Sequence, residues 1–179
     1  MEESEIKLRM TSPGAAREAV ARVGATLRRP RHFEDNLLFD DSQGGLRAAG
    51  QVLRLRRADP GDATLTYKGA KRVVEGIRSR DETESVVADA DVVQRILAAL
   101  GLRPTFRYQK YRESYAWRDV EIVVDETPVG VFLEIEGPLE TIHAAAAALG
   151  FGPGDYVTDS YVEIFLASGR GGDMVFPGR

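Results

Sequence analysis

The sequence predicts an α+β domain built on a closed eight-stranded antiparallel β-barrel, with a charged interior and flanking helices. Two observations lead to this prediction. Segments in which charged and apolar residues alternate recur along the 179-residue chain, and a period of two is typical of strands. The charges on these segments are also segregated by sign, whereas a surface that serves solubility mixes them.

One domain, residues 1–168, accounts for all the predicted elements. The strands are expected at residues 3–10, 32–39, 51–57, 63–68, 77–87, 107–117, 121–126 and 129–136. Helices are expected at residues 15–27, 89–100 and 141–149, with a short last helix at 160–167. Ser12 is a suitable N-cap for the first helix, and Gly101 and Gly150 end the next two. Residues 169–179 are predicted to be a flexible tail.

Composition excludes several classes of protein. Hydrophobic residues make up 43% of the chain and charged residues 29%, as in ordinary globular domains. Cysteine is absent, so a disulfide framework and a thiolate metal site are excluded. The charged N-terminus predicts no signal peptide, and no apolar run approaches the roughly 18 residues of a membrane span. The net charge of −4 argues against nucleic-acid binding. We expect a cytoplasmic protein.

Charged side chains lie two residues apart on most of the predicted strands, so the members of each group share one face. On the first strand Glu3, Glu5 and Lys7 share a face, and apolar Ile6 and Leu8 lie opposite. The same arrangement recurs, in chain order, at Arg54 and Arg56, at Thr66 and Lys68, at Arg78, Arg80, Glu82 and Glu84, at Lys110 and Arg112, at Asp125, and at Glu134 and Glu136.

Closure of the sheet explains the charged groups better than an open sheet does. An open sheet with one solvated face would account for any single pair, but it would also leave long edges exposed. A barrel has no edges, and it places the charges in a lumen where acids and bases partly neutralise one another. Burying so many charges is costly without dense pairing or a charged ligand.

Such a lumen suits a phosphate compound and a metal ion. Converging lysines and arginines bind phosphate oxygens, and carboxylates two apart on a strand can share Mg²⁺ or Mn²⁺. Phosphoryl transfer needs little beyond positioning and charge stabilisation. The sequence therefore predicts a polyanionic phosphate ligand with a divalent cation inside the barrel.

The motif Glu3-x-Glu5-x-Lys7 resembles the opening signature of the CYTH superfamily, the triphosphate tunnel metalloenzymes. The resemblance spans roughly residues 1 to 166 and continues in order through Leu53-Arg54-Leu55-Arg56, Tyr67-Lys68-Gly69-Ala70-Lys71, Arg80-x-Glu82-x-Glu84, Lys110-Tyr111-Arg112, Asp125, Phe132-Leu133-Glu134-Ile135-Glu136-Gly137 and Ser160-Tyr161. Ala70 departs from the pattern, since family members often carry proline there.

The resemblance implies an eight-stranded tunnel with phosphate bound by bases and Mg²⁺ or Mn²⁺ bound by acids. The implied substrate-binding residues are Arg54, Arg56, Lys68, Arg80, Lys110 and Arg112. The implied metal-binding residues are Glu3, Glu5, Asp125, Glu134 and Glu136. Catalytic roles are expected for Lys7, Glu134 and Glu136. The roles of Glu82, Glu84 and Lys71 are left open.

Three functions are compatible with these residues. The resemblance implies hydrolysis of inorganic triphosphate or of an organic one such as thiamine triphosphate, and alternatively a class IV adenylyl cyclase that makes cyclic AMP and pyrophosphate from ATP. A non-catalytic polyphosphate or nucleotide-binding module would need the bases but not the acids, so the retained acids favour an enzyme. The expected partner is a triphosphate-containing small molecule, with no nucleic acid and no membrane, and a homodimer is left open.

Overall fold

The computed structural model describes residues 2–178, and of Glu2 only the backbone. The strands are β1 (Glu2–Met10), β2 (Thr26–Asp40), β3 (Val52–Asp59), β4 (Ala63–Lys68), β5 (Arg72–Val74), β6 (Ile77–Val87), β7 (Arg103–Trp117), β8 (Val120–Thr127) and β9 (Gly130–Glu136). The helices are α1 (Pro13–Arg22), α2 (Gly45–Ala48), α3 (Ala90–Ala99), α4 (Leu139–Leu149) and α5 (Tyr161–Ala167), with a 3₁₀ turn at Pro153–Asp155.

The sheet closes into the barrel that the sequence predicts. Its strand order is β1-β9-β8-β7-β2-β3-β4-β6, and β1 pairs with β6 to complete the ring, with Glu3 opposite Arg80. All the strand pairs are antiparallel. β5 is an additional strand that pairs only with β6 and was not predicted. The closed eight-stranded architecture is thereby confirmed.

The first helix is shorter than predicted. Ser12 caps α1 by accepting a hydrogen bond from the backbone N–H of Ala15 at 3.1 Å, as expected. The helix ends at Arg22, because Gly24 adopts a left-handed conformation with φ of 72°. The prediction that the helix runs to residue 27 is therefore wrong. β2 begins instead at Thr26, which lies opposite Ala116 of β7.

Three elements depend on contacts that a local pattern does not contain. β2 begins earlier than predicted because Thr26 pairs with Ala116 near the end of β7, and β7 begins earlier because its first residues pair with the end of β2, as Phe106 does with Leu38. The short helix α2 was also not predicted. Asp40 holds its first turn by accepting hydrogen bonds from the backbone N–H groups of Leu46 at 2.9 Å and Arg47 at 3.0 Å.

Apolar faces point outward from the barrel and are covered by helices. Ile6 and Leu8 of β1 are fully buried beneath α1 and α4, in one cluster with Ile135 of β9. Burial of each such side chain stabilises the fold by about 1.5–3 kcal/mol. α3 covers a second cluster that contains Phe39 and Leu55. The opposite faces of these strands are left for the charged lumen.

Helix α5 and the segment after it pack against residues of β7 and β9. Tyr161 and Phe165 of α5 join lumen-facing Phe132 and Met174 in an aromatic cluster. Met174 exchanges backbone hydrogen bonds with β7, at Arg107 and Gln109. The flexibility expected of residues 169–179 stays a prediction, and residue 179 lies outside the described residues. In residues 2–178 no helix has the length and apolar character needed to cross a membrane.

Candidate active site

The lumen collects all the residues that the sequence nominates for phosphate and metal binding. They reach it because period-two alternation sends one face of each barrel strand inward. Lys7 is among the most deeply buried side chains of the protein, at 1% exposure. The other predicted bases, as well as the acids, are buried or half-buried there: Glu3, Glu5, Arg54, Arg56, Lys68, Arg80, Lys110, Arg112, Asp125, Glu134 and Glu136.

Asp125 and Glu134 lie among cations. Arg112 donates to Asp125 twice, at 2.8 and 2.6 Å, and Lys110 donates to the same carboxylate at 3.0 Å. Glu134 is paired with Arg112, and it lies 3.2 Å from the ammonium of Lys7. Burial raises the pKa of Glu134, but Lys7 and Arg112 outweigh it and hold that pKa well below its usual range. Both acids therefore act here as counter-ions.

The remaining bases are also paired with acids. Lys68 lies 2.7 Å from both Glu3 and Glu82. Arg54 and Arg56 share Glu84, at the longer distances of 3.5 and 3.3 Å. Arg54 is buried, Arg56 is half-buried and Glu84 is exposed. Most of the bases predicted to bind substrate are therefore paired with carboxylates. A phosphate ligand could therefore replace the carboxylates without rebuilding the lumen.

Glu3, Glu5 and Glu136 form an acidic cluster in which one carboxylate oxygen from each lies within 4.8 Å of the others. The strand register brings them together, since Glu5 lies directly opposite Glu136 in the β1–β9 pair. Burial, together with the neighbouring acids, raises the pKa of Glu136 to about 8. Burial and a hydrogen bond with Glu82 raise the pKa of Glu3 to about 7. Close carboxylates with these raised pKa values suit a divalent cation.

Glu5 differs from the other two acids of the cluster. Its pKa is lowered to about 2, because Lys7 and Arg78 outweigh the effect of burial. Glu5 is thus charged at neutral pH. A cavity of about 990 Å³ opens beside the cluster, and its wall includes Glu3, Glu82, Glu84 and Glu136. The acidic cluster can therefore be reached from outside the barrel.

Arg80 is the exception to the pairing of charges. It is 9% exposed, its Nε atom has no hydrogen-bond partner, and it forms no ion pair with a described side chain. Burial and the neighbouring Arg78 lower the pKa of Arg80. A buried cation without a counter-ion is unfavourable. Arg80, which lies opposite Glu3 in the β1–β6 pair, is therefore suited to bind an anionic ligand.

Several lumen residues were not nominated from the sequence. Arg78, paired with Glu5, belongs to the run of charges on β6 and could have been included. Glu34 is fully buried, 3.6 Å from both Arg56 and Lys110. It continues a period-two pattern on β2, but its neighbours on that face are not all charged. Tyr161 enters the lumen from a helix, where no strand periodicity marks it.

Comparison with known proteins agrees with this geometry. The model of the CYTH domain matches residues 1–157. A candidate adenylate cyclase of Vibrio parahaemolyticus is 21% identical, with a TM-score of 0.81 over 92% of this chain and 97% of its own. A Pyrococcus horikoshii protein is 24% identical, with a TM-score of 0.78 over 93% and 99%.

A third solved structure has the same fold, and its description also states an activity for that protein. This candidate adenylyl cyclase of Hippeastrum, described as having a dominant triphosphatase activity, is 23% identical, with a TM-score of 0.70 over 93% of this chain and 96% of its own. No curated protein matches the chain by sequence. The family match spans most of the chain and includes the acidic cluster and all the predicted lumen bases. The chain therefore belongs to the CYTH domain family.

Proposed function

We propose that the protein is a divalent-metal-dependent enzyme that binds a triphosphate in the barrel lumen and hydrolyses it. The observation that carries this proposal is the presence, in one lumen, of the acidic cluster Glu3, Glu5 and Glu136 and the unpaired cation Arg80. Carboxylates beside a phosphate site would repel the ligand unless a metal ion lay between them. A module that only binds phosphate has no use for the cluster.

The lumen bases would bind the phosphate oxygens. Arg80 offers a guanidinium without an ion pair to a described side chain, and the contacts of Arg54 and Arg56 with acids are long, at 3.3–3.6 Å. The further bases proposed for substrate binding are Lys68, Lys110 and Arg112. Lys7 lies between Glu5 and Glu134, so we assign it to stabilising negative charge as it develops on the reacting phosphate.

Glu3, Glu5 and Glu136 would hold Mg²⁺ or Mn²⁺. A divalent cation bound there would neutralise phosphate oxygens and lower the pKa of a bound water. We keep Glu136 as a catalytic residue because it lies in the cluster and also 3.8 Å from Arg112. We assign Asp125 and Glu134 to a different task from direct metal binding, since both hold the cations that face the phosphate.

Hydrolysis is placed first because the Hippeastrum relative is described as mainly a triphosphatase. The alternative is adenylyl cyclisation, which the description of the Vibrio relative suggests. A cyclase would direct the ribose 3′-hydroxyl of ATP at the α-phosphorus and release pyrophosphate. Both reactions use the same lumen charges, so the products decide between them.

The test is a product assay with inorganic triphosphate, thiamine triphosphate and ATP, each with Mg²⁺ and with Mn²⁺. Release of orthophosphate that requires the metal supports hydrolysis, and cyclic AMP with pyrophosphate supports the cyclase. Glu136→Gln should lose turnover yet still bind triphosphate. Binding by the wild type without turnover under either metal would leave only a binding module. Glu18→Gln, an exposed position of α1 outside the lumen, is the matched control.

A further inference from the structure

Tyr161 lies among the lysines that we propose bind phosphate. It is 6% exposed, and its hydroxyl donates to Oδ2 of Asp125 at 2.9 Å. The ammonium groups of Lys7 and Lys110 lie 5.2 and 5.5 Å from the centre of its ring. These distances are within the range of cation–π attraction. Tyr161 comes from α5, beyond the residues 1–157 that match the family model.

α5 holds the Tyr161 ring in a fixed place. Ser160 caps the helix by accepting from the N–H of Glu163 at 3.2 Å, and Glu163 accepts in return from the N–H of Ser160 at 2.7 Å. Lys71 of the loop after β4 donates to Glu163 at 2.7 Å. Phe165 packs edge-on against Phe106 of β7, with ring centres 5.8 Å apart. These contacts restrain α5 from outside the lumen.

Three side chains donate to the Oδ2 atom of Asp125, so two donors remain when one of them moves away. Its Oδ2 atom accepts from Lys110 at 3.0 Å, from Arg112 at 2.6 Å and from Tyr161 at 2.9 Å. If Lys110 turns toward a phosphate, Arg112 and Tyr161 still satisfy the buried carboxylate. Without the tyrosine hydroxyl, departure of Lys110 would leave Asp125 with fewer donors, and a poorly satisfied buried charge is costly.

We propose that Tyr161 is a positioning residue that allows Lys110 to exchange Asp125 for a substrate phosphate and keeps Lys7 and Lys110 directed into the lumen. The ring attracts both ammonium groups without neutralising them, unlike a carboxylate, so their charge remains available to the phosphate. This inference rests on the proposed function. It adds a residue that contacts the phosphate-binding groups and not the phosphate itself.

The test compares two variants of the 179-residue chain, with inorganic triphosphate as the probe. Tyr161→Phe removes the hydroxyl and keeps the ring, and Tyr161→Leu removes both. Titration calorimetry with Mg²⁺ gives Kd in the Glu136→Gln background, where we expect triphosphate to bind without turnover, and steady-state kinetics with Mg²⁺ in the otherwise wild-type chain gives KM and kcat. We expect Tyr161→Phe to weaken binding about fivefold, through the lost hydrogen bond. Tyr161→Leu should weaken it about thirtyfold, through the added loss of cation–π attraction. KM should change more than kcat in both.

Tyr156→Phe is the matched control, because it removes a tyrosine hydroxyl that lies 3.1 Å from Nδ1 of His143 and contacts no lumen charge. We expect it to leave the Kd for triphosphate within twofold of the parent chain. The inference is overturned if Tyr161→Phe binds as tightly as the parent chain, or if Tyr156→Phe loses as much affinity as Tyr161→Phe. If the chain with Tyr161 intact binds no triphosphate in the presence of Mg²⁺ or Mn²⁺, the proposed function and this inference both fail. Normal binding with an insensitive Tyr161 removes the inference alone.

Discussion

Arg112 donates hydrogen bonds to both carboxylate oxygens of Asp125, from Nε to Oδ1 at 2.8 Å and from Nη2 to Oδ2 at 2.6 Å. Asp125 is fully buried, so this two-point contact takes place away from water. Charge-assisted bonds of this geometry are the strongest that side chains form. Desolvation offsets much of that strength. The pair therefore fixes the position of Arg112 more than it stabilises the fold.

Asp125→Asn should destabilise the protein strongly. The change leaves Arg112 and Lys110 without their main counter-ion, and breaking a buried pair costs about 3–5 kcal/mol. Denaturant unfolding measures the loss. Added inorganic triphosphate should restore part of it, because the ligand supplies the missing negative charge. Asp91→Asn, which breaks the exposed pair with Arg57, is the control and should cost about 1 kcal/mol or less. Equal losses in the two variants would contradict the prediction.

Metal affinity should rise with pH. Glu3 and Glu136 have pKa values raised to about 7 and about 8, and a cation binds their deprotonated forms. Mn²⁺ binding, measured by calorimetry, should therefore be weak at pH 6 and strengthen until about pH 8. In Glu136→Gln the rise should be smaller and should be centred near pH 7, where Glu3 loses its proton. A wild-type affinity that is constant from pH 6 to 9 would argue against this cluster as the metal site.

The metal-free protein should lose stability as the pH rises. Glu136 has a pKa of about 8 in the fold against an ordinary value of 4.5. Between these values the unfolded chain has released a proton that the folded chain still holds. The free energy of unfolding must therefore fall from about pH 4.5 to 8 and then level off. Urea unfolding in the presence of a chelator measures it. Glu136→Gln should flatten the curve. An equally steep curve in that variant would mean that other groups cause the loss of stability.

The charged faces of the strands could be predicted because the alternation of charged and apolar residues is visible within each short segment. Alternation along β1 alone places Glu3, Glu5 and Lys7 on one face, and that face proves to be the lumen. Strand register is different, because it joins residues far apart in the chain. The register sets Glu136 beside Glu5 and sets Asp125 beside Arg112. Of the five acids predicted to bind metal, three therefore form the acidic cluster. The other two, Asp125 and Glu134, pair with bases.

Other features depend on residues whose role no pattern reveals. Leu27 continues the apolar spacing of the first helix, yet Gly24 ends that helix and Leu27 pairs in β2. Ser160-Tyr161 belongs to the family resemblance, but no strand periodicity marks Tyr161 as a lumen residue. Its function as a donor to Asp125 depends on where α5 packs, and that is decided by Phe165 and its neighbours.

Arg80→Met should separate stability from binding. The guanidinium of Arg80 is buried without a counter-ion, so replacing it with an apolar side chain of similar length removes an unfavourable charge. We expect the variant to be at least as stable as the wild type. Inorganic triphosphate should nevertheless bind about tenfold more weakly or worse, because hydrogen bonds to charged groups contribute about 1.5–3 kcal/mol each. Urea unfolding and titration calorimetry on the same samples measure both effects.

Arg78→Met is the matched control on the same strand and the same face. Arg78 is paired with buried Glu5, so its removal leaves that carboxylate with Lys7 as its remaining close cation. The control should therefore lose stability, in contrast to Arg80→Met. If Arg80→Met also unfolds more easily, Arg80 has a structural partner in solution. If it is stable and binds triphosphate as tightly as the wild type, the anion site does not include Arg80, and the unpaired charge needs another explanation.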